Sequence, residues 1–309
     1  MQGARAELRL ASAVVRHFQG RLTDARRLAV AALADAEAAG DRRAQAQAHL
    51  QLEMTMSYLG DPDHRSHGAA ALALFEALGD DLGLGNLLLN MGVSAYDEGD
   101  WGGALRSYER SGAAYRRAGD VIGEASATNN RAEILTDQGR TDDAGEALTE
   151  ARQVFTATGY RTGVAYTTSG RARLALRAGR FDEAHALIDE ARAEFTRLGS
   201  DDMVVDSDVR LVEILLAEGR AADALAGARA LGEIAGIAFL PVTLARLEGQ
   251  ALLALGRGEE ARPILGSALA AARAAGIRFE EARCLLALGD LEAGAELLRA
   301  LGVEQPLVP

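Results

Sequence analysis

The residues best equipped for chemistry cluster in one short stretch, LGDPDHRSHGAA, which begins at Leu59. Its His64 and His67 are two of only five histidines in the chain, and Asp63 precedes them directly. If a helix begins here, the two histidines share one face, and Asp63 can reach His67 four residues further on. Together with His49, such a set could bind a metal ion, because imidazole and carboxylate groups are common metal ligands. Whether it does depends on the elements that carry these residues.

The composition predicts an all-helical protein. The 309 residues are 49% hydrophobic and only 5% aromatic, with 5 prolines. Alanine, leucine, glutamate and arginine dominate, and all four favour helices. Every one of the 33 basic residues is arginine. A Schiff-base lysine and a phosphate-loop lysine are therefore excluded.

Charge and cysteine content exclude further classes. The net charge of −12 argues against nucleic acid as a partner, because that binding depends on basic surface. A single cysteine, Cys284, excludes an internal disulfide and a cysteine zinc cluster, and its apolar context RCLLALG predicts a buried thiol. The sequence shows neither a membrane-spanning run nor a signal-peptide core. We therefore expect a cytoplasmic protein with no membrane partner.

An internal repeat sets the architecture. Glycines that precede a polar residue and a later alanine recur at intervals of 40, 39, 40, 40, 40, 37 and 33 residues. They are Gly20, Gly60, Gly99, Gly139, Gly179, Gly219, Gly256 and Gly289. A second series follows the first by about 20 residues and comprises Gly40, Gly79, Gly119, Gly159, Gly199, Gly236 and Gly276.

Each glycine is predicted to end a helix, because glycine adopts the left-handed cap conformation without steric penalty. Between the caps, apolar residues fall at helical spacing, as in the stripe Ala144, Leu148, Ala151 and Phe155. A hairpin of two such helices cannot bury its apolar face alone, so neighbouring hairpins must stack. Small residues at equivalent positions let the paired helices approach closely; they are Ala104, Ala144, Ala184 and Ala224.

The stretch NLLLNMGVSAYDEGDWGGALRSYERSGAAYRRAGD, residues 86–120, resembles a tetratricopeptide repeat of the longer, roughly 40-residue kind. The matching positions are Leu88, Met91, Gly92, Ala95, Gly99, Asp100, Trp101, Ala104, Tyr108 and Ser111. The resemblance covers nearly the whole chain. It implies one right-handed superhelical solenoid over residues 1–309, built of about eight antiparallel helical hairpins. The last unit, about 277–302, is short and could cap the array.

The repeat also accounts for the histidine cluster. Gly60 occupies the place of Gly99 and Gly139 in their copies, and the next cap, Gly79, still follows 19 residues later. The repeat length is therefore kept while the packing residues after Gly60 are lost. This pattern favours a divergent, polar helix start over a metal site, with a partner contact as a third possibility. We predict no metal here.

The sequence contains no catalytic constellation. GLGNLL at Gly83 lacks both the third glycine and the preceding strand of a dinucleotide fingerprint. HExxH and GxSxG motifs are absent from the sequence. Paired acids such as Asp142 and Asp143 follow the cap glycines, where they complement the helix dipole. We expect no enzymatic activity and no cofactor.

The resemblance implies that the first helix of each hairpin lines a concave groove. Carrying its groove positions over by spacing gives candidate contacts for a protein or peptide partner. They are Asn86, Asn90, Tyr96, Asp97, Asn129, Asn130, Glu133, Asp137, Tyr166, Arg173 and Arg177. Asparagine amides can both donate to and accept from an extended peptide.

Arginines form a second signal. Six occur between Ala151 and Phe181 without one acid, and Arg173, Arg177 and Arg180 are predicted to share one helical face. Either they pair with acids of neighbouring helices, or they bind an acidic ligand through guanidinium forks.

The repeat predicts a non-catalytic scaffold that binds protein partners. The stretches NNRAEILTDQGRTDDAGEAL and GYRTGVAYTTSGRARLALRAGRFDEA resemble the C-terminal repeat regions of bacterial ATPase-type transcriptional regulators and class III cyclases. This resemblance implies the sensory or regulatory arm of a signalling or transcription-regulating system. The alternative is a peptide or small-ligand sensor that uses the concave groove.

Overall fold

The computed structural model describes residues 2–233 and 240–304, and this part of the chain folds into sixteen helices without a strand. Their contacts divide the chain into two compact units. The first unit runs to Tyr96 and includes Gly103–Ala127; the second comprises Asp97–Gly102 and the residues from Thr128 onward. The boundary falls within helices, so the single solenoid over 1–309 stays a prediction.

Consecutive helices form antiparallel pairs, as the glycine spacing predicts. The helices are α1 Gln2–Phe18, α2 Leu22–Ala39, α3 Arg42–Tyr58, α4 His64–Leu78, α5 Asp81–Asp97, α6 Trp101–Ala118, α7 Val121–Gln138, α8 Thr141–Thr158, α9 Arg161–Arg177, α10 Phe181–Leu198, α11 Asp201–Ala217, α12 Ala221–Gly232, α13 Leu240–Ala254, α14 Gly258–Ala275, α15 Arg278–Leu288 and α16 Leu291–Ala300.

The cap glycines behave as predicted, and Gly159 shows how. Its φ of +70° is left-handed, and its N–H donates to the Thr156 carbonyl at 3.2 Å. The next N–H, of Tyr160, donates to the Phe155 carbonyl at 2.9 Å, which completes a Schellman-type end. Every described glycine of both series has positive φ, and Gly236 lies outside the described residues.

Small-residue packing holds the hairpins of each unit together. In the first unit, Ala13, Ala29 and Leu52 form one buried cluster, and Phe75 lies in another with Leu88. The four equivalent alanines of the repeat are all fully buried, as predicted; they are Ala104, Ala144, Ala184 and Ala224. Because alanine adds little bulk, paired helices can approach closely along these positions.

Arginine and an acid mark the start of the second helix in several hairpins. After Gly139, the Arg140 guanidinium bonds Asp143 through Nε at 2.9 Å. The same contact, three residues apart, recurs for Arg21–Asp24, Arg180–Glu183, Arg220–Asp223 and Arg257–Glu260. Arg180 therefore follows the C-terminal turn of α9 and pairs locally. The prediction that it shares a face with Arg173 and Arg177 is wrong, because α9 ends at Arg177.

The last helices of the second unit contact the segments with which that unit begins. The Gln138 side chain donates from Nε2 to the Leu301 carbonyl at 3.0 Å, and the Glu304 N–H donates to the Gln138 carbonyl at 2.8 Å. The Trp101 and Phe279 rings lie 5.0 Å apart between centroids. The short α15–α16 hairpin therefore packs against the opening segments of its own unit.

Candidate ligand-binding pocket

A pocket in the second unit is lined by five helices, α7, α9, α11, α13 and α15, each the first helix of its hairpin. We call it the inner pocket, and its volume is about 80 Å³. Its lining residues are Thr136, Asp137, Arg173, Leu176, Arg177, Glu213, Leu216, Ala217, Leu247, Gln250, Phe279 and Arg283. A single water needs roughly 10–15 Å³ on this measure, so the pocket can hold a small chemical group.

On the α7–α9 side, two predicted arginines meet one predicted acid. A guanidinium nitrogen of Arg173 lies 2.5 Å from Asp137 Oδ1, and both side chains are largely buried. Arg177 donates to the backbone carbonyl of Asp137. Burial lowers the pKa of Arg177, Asp137 opposes this shift, and Arg173 adds to it. Arg173 thus pairs with an acid of a neighbouring helix, which is the first of the two alternatives for these arginines.

On the α11–α15 side, Glu213 is held by two arginines. Arg283 donates to Glu213 Oε1 at 2.8 Å, and Arg246 donates to the same oxygen at 3.1 Å. Burial alone would raise the pKa of Glu213, but the two guanidiniums lower it well below its usual range. The Arg283 guanidinium also lies 5.6 Å from the centroid of the Phe279 ring, within cation–π range.

Arg246 anchors this network from a fully buried position, with 0% of its surface exposed. It donates to Glu280 Oε2 at 2.6 Å and to Gln250 Oε1 at 2.6 Å, besides its bond to Glu213. Burial opposes the charged form, yet Glu280 and Glu213 outweigh it and raise the pKa of Arg246. The guanidinium therefore stays charged, and it connects helices α11, α13 and α15.

Two further predicted acids are Glu133 and Asp97, and the charge of Glu133 acts on Asp97. Burial raises the pKa of Glu133, with Arg173 and Arg210 opposing the shift. Burial also raises the pKa of Asp97, to about 7, and the charges of Glu133 and Glu98 contribute. Neither Asp97 nor Glu133 lines the inner pocket.

The other predicted residues of the second unit lie apart from the pocket lining. Asn129 is buried, and its Nδ2 lies 3.5 Å from Asn130 Oδ1. The Tyr166 ring packs edge-on against Phe195 of α10, with centroids 5.3 Å apart. Tyr166 thus contributes to the packing of its own hairpin.

Three predicted residues belong to the first unit, and they are Asn86, Asn90 and Tyr96. Asn86 on α5 accepts a hydrogen bond from the Tyr115 hydroxyl of α6 at 2.8 Å. Asn90 and Tyr96 are partly exposed on the same helix. The predicted set is therefore divided between the two units, and only Asp137, Arg173 and Arg177 line the inner pocket.

The histidine cluster lies in the first unit and takes a form that spacing did not predict. His67 Nδ1 lies 2.9 Å from His49 Nδ1, so one ring donates to the other. His64 is buried instead, with Nδ1 3.7 Å from the carboxylate of Glu53. The two histidines of α4 thus have different neighbours. Among residues 2–233 and 240–304, no group of three His, Cys, Asp or Glu side chains is arranged to bind a metal.

Sequence reasoning missed every residue that α13 and α15 supply to this region, namely Arg246, Leu247, Gln250, Phe279 and Arg283. A signal was available in the intervals of 37 and 33 that end the glycine series. Glu133, Arg173 and Glu213 follow one another at intervals of 40, and the next intervals of 37 and 33 lead from Glu213 to Gln250 and Arg283. Asn129, Ser169 and Val209 are spaced in the same way, and the same two intervals lead from Val209 to Arg246 and Phe279.

Two family models, both described as tetratricopeptide repeat, match the sequence. One matches residues 123–193, and the other matches residues 170–236 and 246–306. Together they span more than half of the chain. The chain belongs to the tetratricopeptide-repeat family. The antiparallel helical hairpins of the structure agree with this membership.

Solved tetratricopeptide-type structures are similar in fold over most of the chain. NprR in complex with its cognate peptide NprX has a TM-score of 0.63 at 13% identity, over 95% of this chain and 86% of that one. The Rap conjugation regulator of plasmid pLS20, in complex with the Phr* peptide, has a TM-score of 0.61 at 13% identity, with 93% and 84% covered.

A third similar structure is a signal transduction ATPase with a tetratricopeptide-repeat sensor, PH0952 from Pyrococcus horikoshii. Its TM-score is 0.57 at 14% identity, over 95% of this chain and 44% of that one. No curated protein matches the sequence. None of the described helices combines the length and the apolar character needed to cross a bilayer.

Proposed function

We propose that this tetratricopeptide-repeat chain is a non-catalytic module that binds a protein or peptide segment in the inner pocket of its second unit. We further propose that it is the sensory or regulatory arm of a bacterial cytoplasmic signalling system. The observation that carries the proposal is the convergence of five consecutive first helices on one pocket that presents both charged and apolar side chains.

The chemistry of the pocket supports a peptide better than a nucleic acid. Guanidinium, carboxylate and amide groups lie beside leucines and one phenylalanine, so backbone, charged and aliphatic groups can all find a partner. The net charge of −12 disfavours a polyphosphate backbone. The fold similarity to NprR and Rap, whose structures contain the NprX and Phr* peptides, agrees with the proposal.

A small-ligand sensor is the second candidate, and the limited volume of the inner pocket favours it. About 80 Å³ accommodates one side chain or one small molecule but not a whole peptide. A peptide would insert one residue here and contact other surfaces with the rest. The two candidates therefore differ in whether free amino-acid derivatives bind as well as peptides do.

A steric block tests the proposal without removing a charge. Ala217→Phe places a ring in the inner pocket, and Ala193→Phe on the exposed face of α10 is the matched control. Binding of a labelled random heptapeptide library is measured by fluorescence anisotropy for the parent and both variants. We expect selected peptides to bind the parent and the control equally and the Ala217→Phe variant at least about tenfold more weakly.

If the peptides bind all three proteins equally, the inner pocket is not the peptide-binding site. If no library peptide binds the parent, peptide binding is wrong and the small-ligand candidate remains.

A further inference from the structure

The charges of the inner pocket are almost fully paired with one another. Arg173 is paired with Asp137 at 2.5 Å, and Arg283 with Glu213 at 2.8 Å. Three lining arginines thus face two lining carboxylates, and Arg177 is the one without a carboxylate. The pocket therefore has one surplus positive charge in a chain whose net charge is −12.

Arg177 has unused hydrogen-bonding capacity. Among the described residues it donates only to the backbone carbonyl of Asp137, and no carboxylate oxygen lies within ion-pair distance. A guanidinium carries five N–H donors in a planar fork that matches the two oxygens of a carboxylate. Burial lowers the pKa of Arg177, which means that its charge is held where solvation is incomplete.

The residues around Arg177 indicate which chemical group would be attached to a bound anion. Leu176, Leu216 and Leu247 line the same pocket as Arg177, together with the Phe279 ring. An aliphatic group in this space would leave water and contact leucine side chains, and this burial of apolar surface favours binding. The pocket thus suits an anionic group attached to a short aliphatic chain.

We propose that the inner pocket is a subsite for a carboxylate that adjoins an aliphatic side chain, with Arg177 binding the carboxylate through its fork. This inference rests on the proposed function, because it names the part of the ligand that enters the pocket. The carboxylate belongs to a C-terminal aliphatic residue or to an acidic side chain next to one.

A phosphate group fits less well. A phosphate monoester carries a charge of about −1.5 to −2 at neutral pH. Asp137 and Glu213 line the same space and would repel the second negative charge. One surplus guanidinium therefore matches a monoanion.

The test uses small probes and the only tryptophan of the chain. Trp101 contacts Phe279, so occupancy of the pocket should change its fluorescence. The probes are N-acetyl-leucine, its neutral amide and inorganic phosphate, and calorimetry provides a second readout. We expect N-acetyl-leucine to bind with a millimolar dissociation constant and the amide at least about tenfold more weakly.

Two variants assign the effect to Arg177. Arg177→Gln keeps a donor to the Asp137 carbonyl and should weaken N-acetyl-leucine binding about tenfold or more. Arg180→Gln, three residues on and exposed, is the matched control and should bind as the parent does. Circular dichroism and the unfolding midpoint check that both variants keep the fold.

A second pair of probes separates the two sources of the carboxylate. N-acetyl-alanyl-leucine presents a terminal carboxylate, and N-acetyl-leucyl-aspartyl amide presents a side-chain carboxylate. Tighter binding of either identifies the source.

The inference is overturned if acid and amide bind equally, if phosphate binds better than N-acetyl-leucine, or if neither leucine probe binds at millimolar concentration. It is also overturned if Arg177→Gln binds as the parent does. Library peptides that bind the pocket equally with free and amidated ends, and with or without acidic residues, would overturn it while leaving the proposed function intact.

Discussion

The guanidinium of Arg173 on α9 lies 2.5 Å from the carboxylate of Asp137 on α7, and both side chains are largely buried. This ion pair joins two consecutive hairpins of the second unit across the inner pocket. Because it is largely buried, removing one partner strands the other charge at low dielectric.

We therefore predict that Arg173→Ala destabilises the fold by about 3–5 kcal/mol, as expected for a broken buried pair. Arg173→Met with Asp137→Asn removes both charges and should recover part of that loss. Urea unfolding of the two single variants and the double variant measures the coupling. Additive losses in the double variant would contradict the pairing.

Arg246 should matter more to stability than any exposed arginine. Arg246→Ala removes the closest guanidinium from Glu280 and leaves Glu213 with Arg283 alone, and it should cost about 3–5 kcal/mol. Arg229→Ala, which removes a more exposed pair with Glu248, is the control and should cost less than about 1 kcal/mol. Comparable losses of unfolding free energy in both variants would show that the Arg246 network is not a main source of stability.

Asp97 should make stability depend on pH around neutrality. Its pKa in the folded protein is raised to about 7, whereas the pKa of an unfolded aspartate is about 3.9. Between these values the folded state binds the extra proton, so stability is highest at the acidic side and falls as pH rises toward 7. Asp97→Asn removes this slope and should stabilise the protein at pH 8 by roughly 1–3 kcal/mol.

Thermal unfolding of the parent and the Asp97→Asn variant over this pH range measures the effect. Glu150→Gln, on the exposed face of α8, is the control and should leave the slope unchanged. A parallel pH profile for the parent and Asp97→Asn would contradict the assignment.

The His49–His67 contact should not bind a metal stoichiometrically. The two rings lie close enough to coordinate one ion together, but no third protein ligand completes a group among the described residues. Metal analysis of protein purified without chelating resin should find no stoichiometric zinc, nickel or copper. One bound equivalent, lost on His64→Ala and His67→Ala, would show that the prediction is wrong.

Cutting the chain at Gly159 should destabilise both pieces. Leu148 of α8 packs so closely on α9 that a Cβ at Gly170 would lie 2.8 Å from its Cδ2. Separation would expose this surface and remove the Gln138–Leu301 hydrogen bond as well. Each fragment should therefore melt below the intact chain; two fragments that melt cooperatively at the parent temperature would indicate independent domains.

Hairpin positions could be read from the sequence because glycine caps and alanine contacts are local and repeat at a fixed interval. The buried stripe from Ala144 to Phe155 follows from helical spacing alone. The same logic identified Asp137, Arg173 and Arg177, since groove positions in this part of the chain recur every 40 residues. Local spacing is thus sufficient wherever the repeat is regular.

The rest of the pocket depends on long-range partners that spacing does not reveal. Arginine is usually exposed, so the sequence gives no reason to place Arg246 in the interior. Its burial is explained by Glu280 and Glu213, each more than 30 residues away in the chain. The shortened intervals before Gly256 and Gly289 also shifted the groove positions of α13 and α15 away from the 40-residue spacing. His64 was expected to share a face with His67, but its burial near Glu53 depends on how α4 packs on α3.

The hydrogen bond from Gln138 to Leu301 spans 163 residues, whereas most contacts of a repeat protein join neighbouring hairpins. Neighbouring hairpins can form early, because short loops lose little entropy on closing. Closing the much larger loop between Gln138 and Leu301 costs more entropy, so this contact becomes stable only when every intervening hairpin is in place. The second unit should therefore form this contact last as it folds. A substitution that weakens any hairpin between α8 and α16 should also weaken the contact between Gln138 and Leu301.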